Sequence, residues 1–205
     1  MIMEKEIRNL GNITIREIEG GNSRHVEGYA LTFDTQSEFI GFYETITRSA
    51  VTQELVDSCD VFACFNHDMN KVLARSNKGN GSLTLTVDDT GLKYEFEAPN
   101  TSLGDELIEY LMRGDISKSS FAFYIDPEDE EAEEWTSKDG VYFRTIKKIA
   151  SIVDVSPVWT PAYESTSVSK RATDKVKSLK EERANTINKK LDEQLREVED
   201  LSTIN

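Results

Sequence analysis

The strongest constraint on the fold is a stretch in which apolar and polar side chains alternate strictly. Residues 82–87 (Ser-Leu-Thr-Leu-Thr-Val) and residues 92–97 (Leu-Lys-Tyr-Glu-Phe-Glu) both have a period of two. This period places every apolar side chain on one face of a β-strand, whereas a helix would scatter them around its axis. Gly91 precedes the second run and can adopt the positive φ that a tight turn needs. The stretch therefore predicts a β-hairpin.

Similar alternation recurs along the chain and predicts a mainly β fold. Further strands are expected at residues 12–18, 26–33, 39–46, 61–65, 119–124, 141–146 and 148–155, with a short extended segment at 71–75. Helical spacing of apolar residues predicts two helices in the same part of the chain, at residues 50–59 and 102–113. Runs of strands with a few helices indicate the α+β class, and we expect a closed or nearly closed β-barrel.

One predicted strand carries a candidate nucleophile. After a glycine that can end the preceding helix, alternation begins again at Ser119. Phe121 and Phe123 then share the face that enters the core, and Ser120 lies on the opposite face, with open space expected in front of it. A hydroxyl that a rigid strand holds in place is well suited to nucleophilic attack, although Ser117 and Ser119 are close competitors.

A histidine follows another predicted strand. The apolar residues 61–65 lead into Asn66-His67-Asp68, which places the imidazole of His67 at the mouth of the sheet. A serine nucleophile needs a neighbouring base that titrates near neutral pH, and the chain has 2 histidines. His25 is one polar member of an alternating early strand, so a half-exposed structural role is expected for it. His67 is therefore the candidate base.

Several further motifs accompany these two stretches along the chain. In order, the motifs are Gly28-Tyr29-Ala30 with Phe33, Tyr43-Glu44-Thr45-Ile46, Asn66-His67-Asp68, Gly114-Asp115-Ile116, Ser120-Phe121-Ala122-Phe123, Asp154-Val155-Ser156-Pro157-Val158 and Pro161-Ala162-Tyr163. Their order and spacings resemble those of the tailed-phage prohead (capsid maturation) protease family, from about Ile13 to Arg171. The ordered set carries the resemblance rather than any single motif.

The resemblance implies a serine endopeptidase related in fold to the herpesvirus assemblins. It further implies that the substrate is capsid or scaffold protein, cleaved inside the immature capsid (the prohead) in the host cytoplasm. Self-cleavage is expected by analogy in the linker at residues 165–173. The alternative is a catalytically idle capsid-assembly or scaffolding protein on the same fold, which the presence of His67 and Ser120 at the motif positions disfavours.

The resemblance also suggests a role for each candidate residue. Ser120 would be the nucleophile and His67 the base. Asp154 is favoured as the group that orients the imidazole, because it alternates with apolar neighbours and matches the acidic position of the family's acid-x-Ser-Pro-Val motif. Glu44 is the alternative third member. The assemblins use a second histidine in this role, and His25 is the residue that could supply one here.

The charge balance bears on the partners that the chain can bind. The chain has 24 Lys and Arg against 38 Asp and Glu, a net charge of −14. This balance argues against nonspecific binding to nucleic acid or to an anionic membrane, because clustered cations hold both. No apolar run approaches the roughly 20 residues of a membrane span, and we expect no signal peptide. A protein partner is therefore expected, and assembly into a homo-oligomer stays open.

The two cysteines, Cys59 and Cys64, are too few for a disulfide framework or a zinc site. Cys64 lies three residues before His67, but an odd separation puts two side chains on opposite faces of a strand. Buried packing is therefore expected for Cys64 rather than the role of a thiol nucleophile. The two histidines are far apart in sequence and the acids show no ligand spacing, so we expect neither a metal nor a cofactor.

The character of the sequence changes near residue 171. Residues 172–201 contain no Pro or Gly, are rich in Lys, Glu, Leu and Arg, and place Ile187, Leu191, Leu195 and Val198 on one helical face. We therefore expect a catalytic domain at residues 1–170 and a charged helical tail at residues 171–205. The narrow apolar stripe fits either a frayed helix packed on the catalytic domain or a segment that docks on scaffold or capsid protein.

Overall fold

The structure, a computed structural model, describes residues 3–15, 24–159 and 170–202. The strands are β1 (Lys5–Ile15), β2 (His25–Thr32), β3 (Tyr43–Ile46), β4 (Asp60–Cys64), β5 (Val72–Asn77), β6 (Asn80–Gly81), β7 (Leu83–Val87), β8 (Gly91–Glu97), β9 (Ile116–Tyr124), β10 (Glu133–Lys138), β11 (Val141–Ile146) and β12 (Ser151–Trp159). The helices are α1 (Gln53–Ser58), α2 (Ser102–Arg113) and α3 (Lys170–Ser202), with single 3-10 turns at Arg48–Ala50 and Phe65–His67. The motif Pro161-Ala162-Tyr163 and the expected end of the first strand at residues 16–18 lie outside the described residues.

The strands form two sheets. Within the described residues, the larger sheet has the order β6-β5-β4-β12-β9-β1-β2-β8-β7, and the smaller one has the order β10-β11-β3. Most neighbours are antiparallel, but β4 runs parallel to β12 and β3 runs parallel to β11. A mainly β body with a few helices confirms the α+β class.

The sheets are not closed into a barrel, so of the two forms expected, closed or nearly closed, the fully closed one is wrong. The edges of the large sheet are β6 and β7, and no ladder joins them in the part of the chain that the structure describes. The chain passes from one edge to the other through Ser82. However, β6 has 2 residues, so it offers too few backbone groups to continue the ladder around the sheet.

The hairpin and the second helix agree with the sequence predictions. In the hairpin, β7 pairs antiparallel with β8 from Leu83 opposite Phe96 to Val87 opposite Leu92. The helix α2 begins after Thr101, whose side chain accepts a hydrogen bond from the backbone N–H of Gly104 at 3.3 Å. It ends at a glycine with φ of 76°, a left-handed conformation that glycine adopts without the steric cost of a Cβ.

Strand β9 lies in the middle of the large sheet, between β1 and β12. Phe121 and Phe123 are fully buried on one face of this strand, and their rings stack with centroids 4.8 Å apart. On the same face, the hydroxyl of Ser119 hydrogen-bonds to that of Tyr94 at 2.5 Å. This face contributes to the core as expected.

The chain forms two compact units, Met1–Val168 and Ser169–Asn205. The second unit contains the 33-residue helix α3, which confirms the helix predicted at the C-terminus. Ile187 and Leu191 of the predicted apolar stripe are exposed, at 55% and 53% of their surface. The side chains of Leu195 and Val198 lie outside the described part of this helix.

Candidate active site

Ser120 lies at the centre of β9, directly opposite Ser156 on the neighbouring strand β12. It is completely buried, so the open space that the alternation suggested in front of it is not present. Its hydroxyl is in contact with the imidazole of His67 and with the main-chain carbonyl of Arg8. A substrate therefore has to reach the hydroxyl from the side of His67, whose side chain is 11% exposed.

His67 is the last residue of the 3-10 turn that follows β4. Asn66 and His67 have φ values of 54° and 60°, in the left-handed region that residues with a Cβ seldom adopt. Such positions cost of order 1–3 kcal/mol each and are concentrated at functional sites. The turn is held by backbone hydrogen bonds, from Asp68 to the carbonyl of Phe65 at 3.1 Å and from Phe65 to that of Lys71 at 2.9 Å. This backbone conformation directs the imidazole towards β12 and β9, where it contacts Asp154 and Ser120.

The imidazole of His67 joins the two other favoured residues. Its Nε2 lies 2.6 Å from Oγ of Ser120, and its Nδ1 lies 2.5 Å from Oδ1 of Asp154. Asp154 is fully buried on β12, where it pairs with Phe62 of β4 on one side and Ala122 of β9 on the other. The parallel contact between β4 and β12 thus brings the histidine turn beside the aspartate. The structure brings Ser120, His67 and Asp154 into one chain of hydrogen bonds.

Ser156, for which the sequence predicted a structural role together with Pro157, also contacts this chain of hydrogen bonds. Its hydroxyl donates a hydrogen bond to Oδ1 of Asp154 at 2.7 Å, and both residues are fully buried. Residues two apart on a strand lie on the same face, so the spacing within the acid-x-Ser motif was the signal available in the sequence. Among the described residues, the other oxygen, Oδ2 of Asp154, has no hydrogen-bond partner.

The hydroxyl of Ser120 has a second acceptor, the main-chain carbonyl of Arg8, at 2.9 Å. The ladder between β1 and β9 shifts register between Arg8 and Gly11, directly opposite Ser120. Such a bulge places two residues of one strand opposite one of the other and redirects the local backbone groups. A serine hydroxyl has one proton, so it donates either to His67 or to this carbonyl at any moment.

Comparison with protein-family models decides the family. Residues 11–181 of 205 match the family model described as caudovirus prohead serine protease. The chain belongs to this family. Membership places it among the serine peptidases of phage prohead maturation. Comparisons with curated proteins and with solved structures gave no match. In the described part of this prohead protease, no helix is long and apolar enough to cross a membrane.

The structure does not bring the alternative third members to His67. In this prohead protease, Glu44 lies on β3 and binds the guanidinium groups of Arg8 and Arg144. His25 lies on β2, where its Nδ1 is 2.9 Å from a carboxylate oxygen of Glu97. Both side chains therefore have other partners, and Asp154 is the acid in contact with the imidazole.

Five charged residues form a buried ion cluster that joins the two sheets of the protease. The cluster consists of Glu6 and Arg8 on β1, Glu44 on β3, Glu133 on β10 and Arg144 on β11. Burial alone would raise the pKa of Glu6, but hydrogen bonds from the two arginines and their charges outweigh it and lower the pKa to about 2. The same carboxylates raise the pKa of Arg8 and Arg144 against the opposing effect of burial. The ion pairs of the cluster therefore fix β1, which carries the carbonyl in contact with Ser120.

Cys64 of the protease lies near the site but is a poor nucleophile. Burial, together with the negative charges of Asp154 and Asp68, raises the pKa of its thiol to about 12. The thiolate is the reactive form of cysteine, so a thiol with this pKa is inert near neutral pH. Cys64 and Cys59 are both buried and free. This environment agrees with buried packing as the role of Cys64.

Three polar side chains on the outer face of β2 and β8 have the composition of a metal site. His25, Glu27 and Glu95 place one ligand atom each within 4.8 Å of one another. The ammonium group of Lys93, however, lies 3.0 Å from Glu27 and 3.2 Å from Glu95. This lysine already supplies the positive charge between the two carboxylates, and a metal ion would have to displace it.

Proposed function

We propose that this prohead protease cleaves peptide bonds with Ser120 as nucleophile, His67 as general base and Asp154 as the carboxylate that orients the imidazole. The observation that carries the proposal is the continuous chain of hydrogen bonds from Asp154 through His67 to Ser120. Its distances of 2.5 and 2.6 Å are within reach for direct proton transfer. Membership of a serine protease family supports the same reading.

In the first half of the reaction, Oγ of Ser120 attacks the carbonyl carbon of the scissile peptide bond. A C–O bond forms, the carbonyl oxygen takes the electron pair of the C=O bond, and the hydroxyl proton passes to Nε2 of His67. The carboxylate of Asp154 holds the proton on Nδ1 and stabilises the imidazolium. When the C–N bond breaks, His67 gives its Nε2 proton to the leaving amine, and an acyl-enzyme remains.

In the second half, water replaces the amine. His67 takes a proton from the water, whose oxygen attacks the acyl carbon. The ester bond to Ser120 then breaks, and its Oγ recovers a proton from His67. The buried position of Asp154 keeps this carboxylate away from water, which strengthens its interaction with the imidazolium. The step returns the site to its starting state.

We infer that the substrates are the capsid or scaffold protein of a tailed phage and the chain itself. This inference rests on the family, whose description names prohead proteases, and it places the activity inside the immature capsid in the host cell. A net charge of −14 favours protein over nucleic acid as the partner. Residues 1–170 would then form the catalytic domain, and residues 171–205 a helical tail that docks on scaffold or capsid protein.

The test is to express the full chain, with and without the cognate capsid and scaffold proteins, and to follow all masses over time. We expect cleavage by the native chain and none by Ser120→Ala or His67→Ala. Asp154→Asn should slow cleavage by about 10⁴-fold, because the amide no longer enforces the required tautomer. The matched control is Ser119→Ala, which removes a neighbouring buried hydroxyl on the opposite face of β9 and should retain activity.

If the native chain and Ser120→Ala give identical masses under assembly conditions, the proposed chemistry is wrong. The same chain would then be a catalytically idle assembly protein on this fold. If Ser119→Ala abolishes cleavage and Ser120→Ala does not, the nucleophile is the other serine.

A further inference from the structure

Ser156 is a buried serine that meets the carboxylate of Asp154 from within its own strand. We propose that Ser156 is a positioning residue of the protease: its hydroxyl fixes the orientation of the Asp154 carboxylate and thereby that of His67. This inference rests on the proposed function of the triad. It adds a fourth side chain to the site, whose hydroxyl donates to the carboxylate of Asp154.

The contacts of Asp154 support this role. Its Oδ1 accepts two hydrogen bonds, from Nδ1 of His67 at 2.5 Å and from Oγ of Ser156 at 2.7 Å. A carboxylate that receives one hydrogen bond can rotate about its Cβ–Cγ bond and present either oxygen. Two donors that approach the same oxygen from different directions restrict that rotation, since turning the group would break both bonds.

The backbone around Ser156 gives the hydroxyl a fixed position. Ser156 pairs with Ser120 across the ladder between β12 and β9, so the positioning residue and the proposed nucleophile belong to one rung of the sheet. Pro157 follows it, and the proline ring fixes the backbone φ at that point. Ser156 is also fully buried. A side chain whose rotamer is already fixed on a central strand loses no conformational entropy when the substrate binds.

The experiment compares Ser156→Ala with Ser119→Ala in the full chain. Both substitutions remove one buried hydroxyl from neighbouring central strands, but the hydroxyl of Ser119 bonds to Tyr94 instead of the triad. We expect Ser156→Ala to lower kcat about 10- to 100-fold, as befits the loss of one hydrogen bond to a charged group, with KM unchanged. Ser119→Ala should change neither quantity.

The role of Ser156 can also be tested by proton NMR, which does not require cleavage activity. The Nδ1 proton of His67, shared with Asp154 over 2.5 Å, should give a low-field proton resonance that His67→Ala removes. We expect Ser156→Ala to shift this resonance further downfield, because Oδ1 then accepts from the histidine alone. Ser156→Thr, which keeps the hydroxyl, should restore the native position of the resonance.

The possible results separate this inference from the proposed function. If the native chain cleaves and Ser156→Ala keeps its kcat within twofold, the positioning role is refuted while the triad stands. If the native chain cleaves nothing, the proposed function fails, and the proton resonance decides the structural role alone. An unchanged resonance in Ser156→Ala then refutes the inference.

Discussion

Glu6 offers a quantitative test of the buried ion cluster. Its side chain is 2% exposed and binds both Arg8 and Arg144, and its pKa falls from 4.5 to about 2. Because each pKa unit corresponds to about 1.4 kcal/mol, the ionised carboxylate contributes roughly 3 kcal/mol to the free energy of unfolding at neutral pH. Glu6→Gln keeps the shape of the side chain but removes its charge. We therefore expect this variant to lose about 3 kcal/mol of stability at pH 7.

The pH dependence has a definite sign. A carboxyl whose pKa is lower in the folded chain stabilises fully above its unfolded pKa, here 4.5, and loses that contribution as the pH falls towards about 2. The difference between native chain and Glu6→Gln should therefore shrink to roughly 1 kcal/mol at pH 3. Carboxyl groups outside the cluster titrate in both proteins, and their effects cancel in this difference.

The assay is urea unfolding followed by tryptophan fluorescence, with both proteins in a Ser120→Ala background that prevents self-cleavage. The matched control is Glu109→Gln, an exposed carboxyl on α2, for which we expect a change within about 0.5 kcal/mol. A difference below about 1 kcal/mol at pH 7 for Glu6→Gln, or one that does not vary with pH, would refute the reasoning. In that case the attraction of the arginines would not exceed the cost of burying the carboxylate.

Two further predictions concern the thiol and the end of α2. Cys64→Ala should keep the cleavage rate within about twofold of the native rate, because a thiol with a pKa of about 12 cannot act as the nucleophile. A loss of activity as large as that of Ser120→Ala would contradict this prediction. Gly114→Ala should lower the free energy of unfolding by about 1–2 kcal/mol in urea titrations, because alanine is strained at a φ of 76° although its Cβ would meet no neighbour. An unchanged urea midpoint would show that the helix can end in another conformation.

Local patterns in the sequence were sufficient for much of the fold, and together with the family motifs they indicated the candidate site residues. The hairpin of β7 and β8 follows from a period of two, and α2 follows from helical spacing with a capping threonine and a terminal glycine. Ser120, His67 and Asp154 were singled out because each ends or interrupts an apolar strand and matches a motif. The structure brings the three together, and their catalytic roles remain predictions.

The rest depends on contacts between distant segments, which local patterns do not encode. Glu44 looked like a candidate third member, yet the arginines that bind it lie 36 and 100 residues away in sequence. Glu133 belongs to an acidic run typical of a solvated loop, but its side chain pairs with Arg144 and is 12% exposed. Ser120 contacts the main-chain carbonyl of Arg8, and since every residue has such a carbonyl, the sequence does not indicate this contact. Whether a sheet closes depends on the length of its edge strands, which alternation does not fix.

The order of the strands along the chain determines the order in which the residues of the candidate site are synthesised. Strand β9 pairs on one side with β1, the first described strand, and on the other with β12, which follows every other strand of the sheet along the chain. During synthesis, the ribosome therefore releases Ser120 and His67 well before Asp154. A nascent chain that ends before β12 lacks the strand between β4 and β9 and the carboxylate that contacts His67. If Asp154 orients His67 as proposed, the base is therefore oriented only after the last strand of the large sheet has been made.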